Sequence, residues 1–226
     1  RDGETAQLYV MPAFGGEPRR LTDLKEDVAE AAWSPDGSTI AFVSRVRDSA
    51  YDEEDGRRRR PRRFTRLQYK LEAVGWTGDR PRHLFSVRAD GSGEAVQLTA
   101  GDFEDSCPAW SPDGAQIAFV SARHPFWDTD PIRDIYLVAA GGGEPQRLTQ
   151  GGGSFDLISW SPDGTSLAAQ RYPGAFDDPR HTQIALVEAE SGAIRLLTSA
   201  LDRNCGTAPQ AREPVWDQHD LVFTVE

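Results

Sequence analysis

Cysteine is scarce in this chain of 226 residues, and the two that occur, Cys107 and Cys205, stand far apart with no CxxC spacing. That arrangement excludes a sequence-local metal or redox pair and predicts two isolated thiols. Long apolar runs are missing as well. None approaches the ~20 residues that carry a helix across a bilayer, so no membrane partner is expected. Positive charge is in deficit, with a net charge of -11. A phosphate backbone selects for a basic face, which excludes a nucleic-acid binder for the chain as a whole.

Catalytic signatures are also wanting. Gly-x-Ser-x-Gly, the nucleophile elbow of α/β-hydrolases, does not occur, and the nearest string, Gly164-Thr165-Ser166-Leu167-Ala168, lacks the second glycine. The histidines His83, His124, His181 and His219 are scattered, with no pair at the i, i+4 spacing of a zinc helix. His124, near Phe126 and Trp127, reads as a surface-loop residue, with a pore-lining role as the lesser alternative. Asp128, Asp130 and Asp134 lack the Gly and terminal Glu of a calcium loop. The sequence therefore predicts no catalytic residue, no metal site and no cofactor within this chain.

What is present is repetition. Trp followed by Ser-Pro-Asp-Gly occurs three times, at Trp33–Gly37, Trp110–Gly114 and Trp160–Gly164. Strand-like runs follow: Ile40-Ala41-Phe42-Val43-Ser44, Ile117-Ala118-Phe119-Val120-Ser121, and the weaker Leu167-Ala168-Ala169-Gln170. Pro presets the second position of a type I turn, Asp suits the third, and Gly takes the left-handed backbone that closes a hairpin. A second hairpin ends in Leu-Thr at Leu21-Thr22, Leu98-Thr99, Leu148-Thr149 and Leu197-Thr198, spaced 77, 50 and 49 residues apart. In the first three copies that Leu precedes the Trp by 12 residues. A fourth copy has decayed to Trp216-Asp217-Gln218-His219 before Leu221-Val222-Phe223-Thr224-Val225.

Periods of ~40–50 residues with four strands each are those of propeller blades, and the short runs lack the 3.6-residue periodicity of helical repeats. The expected fold is all-β, a partial β-propeller of four-stranded antiparallel blades. A half-blade over 1–30 leads to whole blades over about 31–106, 107–156 and 157–199, and a half-blade over about 200–226 follows. The whole blades begin near Ala31, Pro108 and Leu157. Bounded by half-blades, the chain reads as a piece of a larger propeller rather than a small ring closed on itself.

The excess length of the 77-residue interval marks an insert over 45–81. It opens with Asp52-Glu53-Glu54-Asp55, continues through Arg57 to Arg60, Pro61, Arg62, Arg63 and Arg66, and runs on to Tyr69 and Trp76. The plainest reading is a solvated excursion whose charges neutralise each other. A nucleic-acid patch is disfavoured, because few aromatic platforms interleave with the Arg run. The functional reading is a gate on a rigid scaffold, in which Phe64, Leu67 and Tyr69 pack the loop and Arg62, Arg63 and Arg66 stand free to meet carboxylates. Arg62, Arg63, Arg66 and Tyr69 are the candidate substrate-gating residues.

With its Trp-Ser-Pro-Asp-Gly blades, the chain resembles the propeller of the prolyl oligopeptidase family of serine peptidases. The blade motif is shared with the periplasmic propeller protein of the Tol system. The insert, Arg63-Phe64-Thr65-Arg66-Leu67-Gln68-Tyr69-Lys70 leading to Gly75-Trp76-Thr77-Gly78-Asp79 and Arg82-His83-Leu84-Phe85, is similar to the acylaminoacyl-peptidase branch. The resemblance implies a propeller that admits short peptides to a separate α/β-hydrolase domain of the same parent protein, where a Ser-Asp-His triad removes acylated or unmodified N-terminal residues. It also implies a cytoplasmic location and an ability to form homo-oligomers. The departures are size and content: about four blade equivalents against the family's seven, and no hydrolase domain, so no triad residue transfers to this chain and the chain alone is expected not to be an enzyme. The alternative is a non-enzymatic, protein-binding propeller of the periplasmic Tol type. A propeller enzyme acting on sugars in its own channel would require convergent inner-strand acids, and only loop acids are seen.

Overall fold

A computed structural model describes residues 5–72, 74–130, 132–174, 180–206 and 212–226. A hairpin of β1 (Tyr9–Val10) and β2 (Arg19–Arg20) comes first. The first whole blade holds β3 (Val28–Trp33) and β4 (Thr39–Arg45). An insert with its own small hairpin, β5 (Lys70–Leu71) and β6 (Gly75–Trp76), intervenes before β7 (Arg82–Arg88) and β8 (Val96–Gln97). The second blade is β9 (Asp105–Trp110), β10 (Gln116–Ser121), β11 (Asp134–Ala139) and β12 (Gln146–Arg147). The third is β13 (Ser154–Trp160), β14 (Ser166–Tyr172), β15 (Gln183–Glu188) and β16 (Ile194–Leu196). A final hairpin joins β17 (Val215–Asp217) to β18 (Asp220–Val222).

Each whole blade is an antiparallel four-stranded sheet in which consecutive strands pair, and the first and last hairpins form separate two-stranded sheets. This is the all-β, partial-propeller architecture read from the sequence. The opening strands β3, β9 and β13 pack side by side from blade to blade, which makes them the inner strands. The short β8, β12 and β16 form the exposed outer edges.

The cores lie between blades. Ile40 and Phe42 of β4 pack towards the first hairpin, with Leu21 and Phe85. Their neighbours Ala41 and Val43 point the other way and pack with Ile117 and Phe119 of the second blade. Ala118 and Val120 in turn meet Phe155, Leu167 and Ala169 of the third. A strand buried on both faces needs apolar residues at successive positions rather than alternate ones. That requirement explains the unbroken Ile-Ala-Phe-Val runs. In the weaker third copy Gln170 is only 2% exposed, and its amide donates to the Cys205 carbonyl at 2.8 Å, tying the third blade to the segment that follows.

The recurrent motifs have local causes. In each tetrad Ser accepts the N–H of the residue five positions on, at 3.0 Å, and donates its hydroxyl to the Asp at 2.6 Å. Gly37, Gly114 and Gly164 close these turns at φ of 68°, 71° and 71°. Each recurrent Thr hydroxyl accepts a backbone N–H where strand pairing gives out: from Leu8 to Thr22, Leu84 to Thr99, Ile135 to Thr149 and Ile184 to Thr198, at 2.9 to 3.0 Å.

From the second copy of the motif onward, its Trp is a tie between blades. Trp110 donates its indole N–H to the carbonyl of Ala32 at 3.1 Å, Trp160 to that of Ala109 at 3.0 Å, and Trp216 to that of Ser159 at 3.4 Å. The acceptor is always the residue before the preceding blade's own Trp. Trp33 has no such acceptor among the described residues and is 53% exposed.

The whole blades open at Val28, Asp105 and Ser154, three residues ahead of the expected Ala31, Pro108 and Leu157. The cause is a β-bulge in each inner strand, where the register slips against the neighbouring strand. Its central residues, Glu30, Cys107 and Leu157, hold φ of 53°, 53° and 48°. A left-handed non-glycine residue breaks the two-residue alternation that marks a strand in sequence.

Candidate functional site

The excursion between β4 and β7 is the feature most unlike the rest of the repeat. Its two legs extend the β4–β7 ladder, with Val46 N–H donating to Pro81 O and Asp48 N–H to Asp79 O, both at 2.9 Å. Asp48 then caps a single 3-10 turn, Ser49–Asp52, by accepting the Ala50 N–H at 2.7 Å. Glu26, almost fully buried, takes the guanidinium groups of Arg47 and Arg80. Arg45 reaches across to Glu104, next to the second blade, through paired bonds of 2.9 and 2.8 Å. Above this root, the Tyr51 ring is surrounded by the guanidinium groups of Arg47, Arg59, Arg62 and Arg80, 5.0 to 5.9 Å from its centre.

Phe64, Tyr69 and Trp76 form a ring cluster, with centroids 4.6 Å apart for Phe64–Tyr69, 5.4 Å for Phe64–Trp76 and 5.9 Å for Tyr69–Trp76. Packing of Phe64 and Tyr69 within the insert was expected; their exposure, 53% and 39%, was not, and Leu67 is 72% exposed. Beside the cluster lies a cleft of about 320 Å³ lined by these rings together with Asp48, Arg60 and Arg63.

The expected freedom of Arg62 and Arg66 is corrected by the structure. Arg62 donates to Asp79 at 2.7 Å and to the Tyr51 hydroxyl at 2.9 Å, and lies 4.9 Å over the Trp76 ring. Arg66 pairs with Asp102 at 2.8 Å and lies 4.8 Å over Trp127. Both partners lie beyond the Arg-rich run, Asp102 36 residues from Arg66, so short-range charge pattern did not reveal them. The side chains of Arg63 and Arg60, in contrast, make no hydrogen bond, ion pair or ring contact among the described residues.

The insert is also fastened from outside. Asp128, in the loop after β10, accepts the N–H of Leu67 at 2.8 Å and of Gln68 at 2.9 Å, one on each carboxylate oxygen. Gln68 donates to the Trp127 carbonyl at 3.3 Å. A carboxylate bridging two successive amides is a charge-assisted clamp, and nothing in the spacing of Asp128 from the insert announced it.

The remaining candidates have structural places. His124 holds its own loop through Ile132 O at 3.0 Å. His83 and Asp105 are buried together, 3.3 Å apart, and Asp105 also receives Thr99 at 2.6 Å and Arg123 at 2.7 Å. Burial by itself would raise the Asp105 pKa, but the His83 hydrogen bond, the Arg123 charge and the Thr99 hydroxyl hold it below the usual carboxylate range. Cys107 and Cys205 are free thiols. Burial, together with the neighbouring Asp156 carboxylate, pushes the Cys107 thiol up to about 12, so it is no nucleophile at neutral pH. Among the described residues, no three His, Cys, Asp or Glu side chains converge as a metal site would require. Among those residues no helix is long and apolar enough to cross a membrane.

No model of a known protein family matches the chain. It is 33% identical over 144 residues to the uncharacterized peptidase YuxL of Bacillus subtilis (strain 168), a match that spans 61% of this chain and 22% of that protein. Among solved structures, the acylaminoacyl peptidase of Pyrococcus horikoshii covers 97% of this chain at 17% identity, with a TM-score of 0.69 and 32% of its own length matched. The putative TolB of Agrobacterium tumefaciens covers 86% at 23% identity, with a TM-score of 0.58 and 57% of its length matched. The chain thus spans about a fifth of its curated relative and a third of the solved peptidase. It is a partial β-propeller, similar in sequence to part of a peptidase and in fold to parts of acylaminoacyl peptidase and TolB structures.

Proposed function

We propose that this chain is the substrate-gating propeller portion of a serine peptidase that removes acylated or unmodified residues from the N-terminus of short peptides. The catalytic α/β-hydrolase domain would be carried elsewhere in the same parent protein. The observation that carries this reading is the 33% identity to a peptidase over 144 residues. The mechanism is steric: rigid blades around a channel exclude folded chains and admit flexible peptides, while the partner domain performs the acyl transfer through Ser, His and Asp. The fastened insert supplies a fixed, charged surface on that scaffold. We place the parent in the cytoplasm, as an enzyme able to form homo-oligomers.

The test is to read the source gene on both sides of these codons and to assay the encoded parent. We expect an in-frame α/β-hydrolase domain with Gly-x-Ser-x-Gly, and turnover of acyl-amino-acid anilides and short peptides but not of folded proteins. The chain alone should show no turnover. A frame without a hydrolase domain would overturn the peptidase reading and favour a Tol-like binding propeller.

A further inference from the structure

Among the described residues the side chains of Arg60 and Arg63 have no partner, and both line the same cleft as three partly exposed rings. Arg62 is neutralised by Asp79 and Arg66 by Asp102. Arg60 and Arg63 remain uncompensated by any bond, with Asp48 the other carboxylate on the lining, so the cleft retains about one positive charge. A guanidinium is a planar fork suited to two oxygens of one anion. One net charge matches a carboxylate better than a phosphate dianion.

The rings add a second requirement. Phe64 is 53% and Tyr69 39% exposed, and exposed rings beside unpaired arginines leave apolar area to be covered by a ligand that also carries the anion. At about 320 Å³ the cleft is at the small end of ligand sites, with room for one or two residues. From these observations we infer that the cleft binds the free C-terminal carboxylate of a short peptide ending in an aromatic residue. Arg63 and Arg60 take the carboxylate and the terminal ring stacks against Phe64 and Trp76. Asp79, Asp102 and Asp128 contribute by holding Arg62, Arg66 and the loop backbone in place.

The inference deepens the peptidase reading by naming the end of the substrate that the insert holds, and it fails separately. Binding is read on this chain, whereas the peptidase reading is decided by turnover in the parent.

The experiment is calorimetric titration of the chain with N-acetyl-glycyl-phenylalanine, its C-terminal amide, N-acetyl-diglycine and phenyl phosphate. The free acid should bind saturably, with the amide and the diglycine weaker by about tenfold or more. Arg63→Ala and Arg60→Ala should each weaken the acid by about tenfold, while Arg57→Ala, outside the cleft, should leave it unchanged. Arg63→Lys should recover part of the loss. Absence of saturable binding by the acid, equal binding of acid and amide, or an Arg63→Ala chain that binds like the original would overturn the inference. Tighter binding of phenyl phosphate than of the peptide acid would also overturn it and assign the cleft to a phosphoryl group.

Discussion

The carboxylate of Glu30 accepts the backbone N–H of Cys107 at 2.6 Å, joining two residues that hold the same left-handed position in successive inner strands. The Cys107 thiol continues the line by donating to Asp156 at 2.9 Å, next to the third bulge at Leu157. The bulges are thus the points at which neighbouring inner strands are stitched together.

Replacing Glu30 separates the two parts of this device. Glu30→Ala loses the bond to Cys107 and the 2.9 Å ion pair with Arg82, and should cost about 1–2 kcal/mol. Glu30→Gly loses the same contacts but relieves the left-handed backbone, so it should be more stable than Glu30→Ala by about 1 kcal/mol. Denaturant midpoints at constant slope measure the difference; equal midpoints would show that the bulge carries no strain.

The indole ties predict unequal effects of one substitution. Trp110→Phe removes a bond to Ala32 while keeping an aromatic ring, and should cost about 1 kcal/mol. Trp33→Phe removes no such bond and should stay within about 0.5 kcal/mol of the original chain. Thermal and denaturant unfolding of the two variants gives the comparison.

At Asp105 the expected loss is larger. Asp105→Asn leaves the largely buried Arg123 without its countercharge and should cost about 3 kcal/mol, whereas Lys25→Met, in the exposed pair with Asp52, should have no measurable effect. The Asp105 pKa is depressed on folding. Its contribution is therefore complete above the unfolded value of about 3.9 and drains away as the pH falls through the folded value. The gap between the original chain and Asp105→Asn should accordingly narrow below about pH 4. Asp36 and Asp163, held at about 2 by the hydroxyls of Ser34 and Ser161, steepen the acid limb over the same window. Stability curves from pH 7 to pH 2 check the sign; a gap that widens on acidification would refute it.

Asp128 should control the insert without disturbing the blades. In Asp128→Ala, hydrogen exchange at the Leu67 and Gln68 amides should accelerate by an order of magnitude or more, while amides of β10 and β14 keep their protection. Unchanged exchange at Leu67 and Gln68 would mean that the clamp is dispensable.

The sequence made the blades readable because their causes are local. A Ser-Pro-Asp-Gly turn is built within a few residues, and a strand buried on both faces declares itself as an unbroken apolar run. The bulges at Glu30, Cys107 and Leu157 stayed hidden because no glycine flagged their left-handed backbone. The site was legible only in outline. Arg63 and the ring of Tyr69 could be singled out by residue type, but Asp102, in the connection between the first two blades, and Asp128, in the second blade, decide which arginines are free and how the loop is held. Pairings across that distance depend on the fold being known first.

The direction of the tryptophan ties bears on biosynthesis. The indoles of Trp110, Trp160 and Trp216 each point back to a carbonyl belonging to the blade before. A nascent chain emerging N-terminus first therefore presents each of these three tryptophans with an acceptor already translated, and the blades can lock one after another in the order in which they are made.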